Sequence, residues 1–316
     1  MRLSCAIILL FIALGIPSVS LSQQENPKYA ANDSLAAGED MLMTLEDSLS
    51  IFNLIDSLIQ LPDLASHSQL AMRLGYNSNV ASSERTLGIS QFGLSPGVSY
   101  YHKSGFYGDV SGYWSSEFDP SYYLTILSAG YLGSLSKRWS VLGEYSRYFY
   151  SDTGDDVTVP FKNSLGVSNF YDLKPLIFRL DYTFFFGDKS VHRVLPGVML
   201  NFEKRNWKKV NKILFYPSFN VLFGSEKITE FVPLFSTLAQ SLIRIRNGLP
   251  LFEEREQTKF GLMNYSLSAP LSVSIKNWNF LLAYTYNFPK ALQGEDLGLK
   301  NSGFISLSIT RYINFK

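Results

Sequence analysis

From residue 69 onward, apolar and polar side chains alternate in short runs separated by turn residues. The clearest run is Leu176 to Phe186. Leu176, Phe178, Leu180, Tyr182, Phe184 and Phe186 form one set, and Ile177, Arg179, Asp181, Thr183 and Phe185 the other. A β-strand points successive side chains to opposite faces, so one face here is wholly apolar and the other carries an Arg, an Asp and a Thr. The run is as long as a membrane-crossing strand, about 9–11 residues. This alternation predicts one stave of a transmembrane β-barrel, with the even face on lipid and the odd face on the lumen.

The same rhythm recurs. Leu70, Met72, Leu74 and Tyr76 face out with Arg73 inward, and Leu94, Val98 and Tyr100 face out with Ser95, Gly97 and Ser99 inward. Further strands are expected near 106–114, 122–134, 139–149, 165–167, 194–202, 213–223, 260–275, 278–288 and 305–315. In the run at 260–275, Met263, Tyr265, Leu267, Leu271 and Val273 read as outward. The run at 122–134 is mixed, because Leu124, Ile126 and Leu132 share the face expected to be polar. The total is about twelve, and single-chain bacterial barrels have an even number. Connections alternate in length. Short ones fall at 103–105, 134–137, 172–174 and 276–277; longer ones fall at 77–90, 151–162, 225–257 and 289–301, with 117–121 a short exception. Short turns belong on the periplasmic side and long loops outside.

The first residues read differently. Arg2, the apolar run Cys5–Ile16 and the small residues Ser18, Ser20 and Ser22 form a secretory leader. Residues 1–22 are therefore expected to be a signal peptide, 23–68 a periplasmic segment, and 69–316 the barrel. Within the segment, Met41, Leu42, Leu45, Leu49, Phe52, Ile55 and Ile59 recur at helical spacing until Pro62. They predict an amphipathic helix over 39–61 that packs on the barrel mouth, plugs the lumen or meets a periplasmic partner. The expected fold is thus an all-β membrane protein, an antiparallel transmembrane β-barrel of about twelve strands with an N-terminal amphipathic helix.

Composition agrees. Of 316 residues, 46% are hydrophobic, 15% aromatic and only 17% charged, against about 25% charged in average domains. No stretch after the leader approaches about 18 uninterrupted apolar residues, so helical spans are not expected. A soluble exported β-sandwich would also alternate, but aromatics recur on the apolar face of nearly every run. Trp114, Trp139 and Trp278 fall at strand ends, where membrane girdles place them. The net charge of +1 points to no nucleic-acid partner. Cys5, in the leader, is the only cysteine, so no disulfide is expected.

The tail from Ser302 to Phe315 resembles the terminal strand of Gram-negative outer-membrane β-barrel proteins, with Lys316 added after the final aromatic. The resemblance covers residues 69–316 as a porin-like architecture and matches no one family. It implies an outer-membrane location, lipid as solvent, and recognition of the last strand by the barrel-assembly machinery.

Candidate chemistry is sparse. His67, His102 and His192 are the histidines, expected before the first strand, in a periplasmic turn and in an external loop. Neither a Gly-x-Ser-x-Gly elbow nor a paired-His metal motif occurs, so no catalytic residue, metal or cofactor is expected. The polar lumen candidates are Arg73, Asp109, Glu144, Arg179, Asp181 and Glu203. In the long loop 225–257, Phe231, Leu234, Phe235, Leu238, Leu242 and Ile245 recur at helical spacing, followed by Arg244 and Arg246 and the stop Asn247-Gly248. An apolar helix in a loop must bury its face somewhere, so Phe231, Phe235, Leu238, Leu242, Arg244 and Arg246 are the candidate gate. The leading expectation is a narrow or gated channel for small polar solutes. The alternatives are a non-conducting barrel that anchors a periplasmic partner and, least supported, a lipid-modifying enzyme.

Overall fold

The computed structural model describes residues 67–78, 93–115, 121–151, 161–293 and 299–315. The expected helix over 39–61 and the leader lie outside these residues. Among the described residues, fourteen strands form one antiparallel sheet. They are β1 (Gln69–Asn77), β2 (Gly93–Tyr101), β3 (Phe106–Ser115), β4 (Tyr122–Ser134), β5 (Trp139–Tyr150), β6 (Phe161–Leu173) and β7 (Leu176–Gly187). Then come β8 (Ser190–Leu200), β9 (Phe202–Trp207), β10 (Val210–Phe215), β11 (Ser218–Pro233), β12 (Phe252–Ile275), β13 (Trp278–Pro289) and β14 (Ser302–Asn314). One helix, α1 (Leu238–Arg246), sits between β11 and β12.

The sheet closes on itself. Strands β1 to β8 pair in sequence order, β8 pairs with β11, β11 with β12, β12 with β13, β13 with β14, and β14 with β1. That ring has twelve strands. The other two, β9 and β10, continue the β8 and β11 staves past breaks at Asn201 and at Tyr216–Pro217, pairing Phe202 with Phe215 and Trp207 with Val210. Gln69 pairs with Asn314, so both ends of the barrel chain lie at one rim, called here the terminal end.

The alternation predicted from sequence is the alternation seen. Met72, Leu74, Val98, Tyr100, Phe178, Leu180 and Tyr182 face outward and are exposed along the strands, while Ala71, Arg73, Ser99, Arg179, Asp181 and Phe185 face inward and are buried. An apolar outer belt on a closed barrel is what a bilayer requires, because closure leaves no unpaired edge in lipid. Turns at the terminal end are short, and Gly105 (φ +94°) makes the one after β2 possible. A Cβ there would lie 2.3 Å from the Leu132 carbonyl oxygen. At the distal rim the β7–β8 connection is only residues 188–189, a second exception to the expected long loops.

Three sequence expectations change. Residues 225–233 and 252–257 are strand rather than loop. There the β11–β12 ladder continues past its last pairing with β8 at Gly224, setting Glu226 opposite Lys259 and Glu230 opposite Arg255. Met263 faces inward, fully buried, because the register shifts between Leu222 and Phe223. One extra residue on one strand reverses the facing of the residues beyond it. His192 lies on β8, facing out, with its Nδ1 2.8 Å from the Tyr182 hydroxyl and its ring stacked near Phe184. The β7–β8 turn is too short to hold it.

Candidate functional site: the inner wall

The inner wall carries three sets of charged side chains. In the first, Arg73 on β1 lies 3.3 Å from the Asp109 carboxylate on β3 and donates to Ser111 Oγ at 2.9 Å. Ser111 donates to the second Asp109 oxygen at 2.6 Å, and Ser99 on β2 donates to the first. Arg73 and Asp109 are 8% and 6% exposed. Two buried charges are tolerable only when each is paired and its remaining polar atoms are met, and the Ser residues meet them. Next to this set the Tyr107 hydroxyl donates to Glu144, which also accepts from Ser146 at 3.2 Å.

The second set is Arg193 on β8 with Glu226 on β11, 3.1 Å apart. Arg193 also donates to the Ser225 carbonyl at 2.8 Å. Sequence reading did not single out Arg193, although it shares the inward parity of Leu195, Gly197 and Met199.

The third set differs. Arg179 and Asp181 on β7 touch as an ion pair along one strand. Yet Arg179 Nε and the other Asp181 oxygen, Oδ1, are buried with no hydrogen-bond partner. Arg179 begins a row in direct register across five strands: Arg179, Gly197, Asn220, Ser266 and Asn287. Asn220 Oδ1 and Asn287 Nδ2 in this row are likewise buried without a partner. Buried polar atoms are almost always met by protein or water, so this wall suits water or a polar solute.

Glycines make room for the larger groups. A Cβ on Gly97 would lie 2.8 Å from Arg73 Nη2. One on Gly197 would lie 2.2 Å from Asn220 Oδ1, and one on Gly224 2.3 Å from Arg193 Nη1. Each faces a bulky inward side chain on the adjacent strand.

Inward apolar residues flank the polar band. Leu132, Leu142, Phe170 and Met199, with Tyr107 and Ile177, form one cluster toward the terminal end, and Ala71, Tyr101 and Tyr312 continue it through Tyr107. Leu222, Met263 and Leu292 form another, with Leu195 against it. Leu132 of β4 belongs to this interior packing, and Leu124 and Ile126 are buried on the same face.

Of the lumen candidates, Arg73, Asp109, Glu144, Arg179 and Asp181 are on the inner wall. Glu203 is not: it lies on β9 at the terminal rim, exposed, and pairs with Arg205. Alternation alone cannot tell where a stave leaves the barrel. Phe231 is on β11 opposite Glu254. Leu238, Leu242, Arg244 and Arg246 are on α1, which Thr237 caps at its start and Asn247 ends. No residue of α1 is buried, and Leu238 is 77% exposed. Phe235 packs edge-on against Phe252 at the helix base. The helix therefore does not enter the lumen. The histidines are all away from the inner wall: His67 is exposed before β1, His102 caps a turn through Ser104, and His192 faces out. Among the described residues, no group of acidic, His or Cys side chains is arranged to hold a metal.

No protein-family model matches the chain, and no curated protein does. Among solved structures it is similar to the NanC porin at 14% identity, over 77% of this chain and 98% of that one, with a TM-score of 0.40. It is similar to the KdgM porin at 9% identity, over 77% and 98%, with a TM-score of 0.42. The translocator domain of autotransporter NalP from Neisseria meningitidis matches at 11%, over 89% and 100%, with a TM-score of 0.40. Likenesses this distant transfer no residue roles. The closed ring and its outward apolar belt are those of a transmembrane β-barrel, a fold given by the chain's own strand pairing.

Proposed function

We propose that the barrel is a narrow channel for small polar solutes, restricted inside the lumen rather than by α1. The observation that carries this is the row from Arg179 to Asn287, in which Arg179 Nε, Asn220 Oδ1 and Asn287 Nδ2 are buried without a protein partner. Leaving such groups dry costs about 1–3 kcal/mol each, so a hydrated path along this wall is favoured over a dry core. Twelve strands lie between the about eight that side chains fill and the sixteen to eighteen that leave an open channel. The terminal rim, with its short turns, is the periplasmic side in this reading.

A second reading, a sealed barrel that anchors a partner, is supported by the apolar clusters flanking the polar band. Single-channel recording in a planar bilayer separates the two. The channel reading expects steps of small conductance that change in size or ion selectivity when Arg179→Ala and Asp181→Ala are combined. Replacing residues 234–251 with a tight turn should leave the steps unaltered. Silence from protein shown to be folded would favour the sealed barrel.

A further inference from the structure

We propose that the terminal rim is a docking surface for anionic phospholipid headgroups in the membrane leaflet it meets. The turns at this rim carry exposed Lys103, Lys137, Arg138 and Lys276. The β9–β10 hairpin adds exposed Lys204, Arg205, Lys208 and Lys209. Among the described residues at this rim, the acidic side chains outside the lumen are Asp172 and Glu203. Asp172 accepts the Lys174 backbone N–H, and Glu203 pairs with Arg205.

The depth of these cations is set by the aromatics beside them. Trp207 at the hairpin tip lies under Lys204 Nζ at 5.0 Å and Lys208 Nζ at 5.5 Å. Trp278 lies under the Arg311 guanidinium at 5.4 Å, and the two are paired in register on the outer face. Trp139 follows Arg138 directly. Outward Trp residues at strand ends mark the headgroup level. Cations at that level, on the lipid side, with few carboxylates among them, face phosphates.

The distal rim is unlike it. There Lys162 is matched by Asp188 at 3.0 Å. Distal cations such as Lys189, Lys290 and Lys300 have no described tryptophan beneath them, so the cation–tryptophan girdle belongs to the terminal end.

The test uses single-tryptophan versions of the full chain in vesicles, retaining Trp207, Trp278 or Trp114, with the other tryptophans changed to Phe. Each is titrated with brominated phosphatidylglycerol or brominated phosphatidylcholine at equal mole fraction. Trp207 and Trp278 should be quenched about twofold more by the anionic lipid, and distal Trp114 equally by both. The preference at Trp207 should vanish in about 1 M salt and in the combined Lys204→Gln, Lys208→Gln, Lys209→Gln variant. Trp278 with Arg311→Gln gives a second reading should the hairpin variant fail to fold. Equal quenching by the two lipids at Trp207 and Trp278 would overturn the proposal. If that equality came with carbodiimide crosslinks from hairpin lysines to the acidic residues between 23 and 66, the rim would instead belong to the chain's own N-terminal segment.

Discussion

Arg73 and Asp109 are buried together, and each is tolerable only because of the other. Removing one partner of a buried pair leaves an uncompensated charge and costs about 3–5 kcal/mol. Asp109→Ala should therefore lower the unfolding free energy by about that much in urea titration from vesicles. The combined Arg73→Met and Asp109→Leu variant should lose much less. Equal losses would mean that the pair is not the stabilising unit. Parity along the strand was enough to place both residues inside. Parity could not show that Arg179 Nε and Asp181 Oδ1 are left without partners or that Asn220 and Asn287 share the Arg179 row. Those facts depend on which residues of β8, β11, β12 and β13 stand level with β7. The inward glycines were visible, but the side chains over them were not, because each comes from another strand.

Among the elements, β12 is where alternation misleads. Its outward set is right at Tyr265, Leu267 and Leu271 and wrong at Met263, since the bulge opposite Leu222 adds a residue that no local pattern announces. In a Cys5→Ser background, Tyr265→Cys should react with a lipid-soluble maleimide, while Met263→Cys should stay unlabelled until the protein unfolds. Comparable labelling of both would put Met263 back on the lipid face. The helix at 238–246 was legible from its spacing and its Asn247-Gly248 stop, but its start was not. Phe231 fits the helical spacing equally well, yet cross-strand pairing holds it in β11. A two-stranded ladder with opposite charges across it extends the hairpin past the rim, and the helix begins only where Thr237 can cap it.

At the scale of the whole molecule, the ring closes between its first and last strands, and the Phe315 N–H donates to the Ser68 carbonyl at 2.9 Å. The ends are thus adjacent, and the closing seam does not depend on where the chain is cut. A permutant that joins Phe315 to His67 by a short linker and opens at Lys276–Asn277 should refold in vesicles with the heat-modifiable mobility of the parent barrel. Failure to refold would mean that the order of strand pairing, rather than the closed ring, governs folding. If the assembly machinery reads the original terminal strand, the same permutant should reach the membrane of cells poorly.

The sequence by itself determined the strand class, the facing of nearly every side chain, a count of about twelve strands and the end that carries the short turns. All of these come from local alternation and turn length, which act over a few residues. Only the tertiary structure decided which inward residues meet, where the bulge reverses β12, and that Glu203 leaves the barrel while α1 stays outside it. It also gathered the rim cations, scattered along the chain from Lys103 to Arg311, around one girdle of tryptophans. Those outcomes depend on the register between strands, which is set by closing the whole sheet and is written in no single segment.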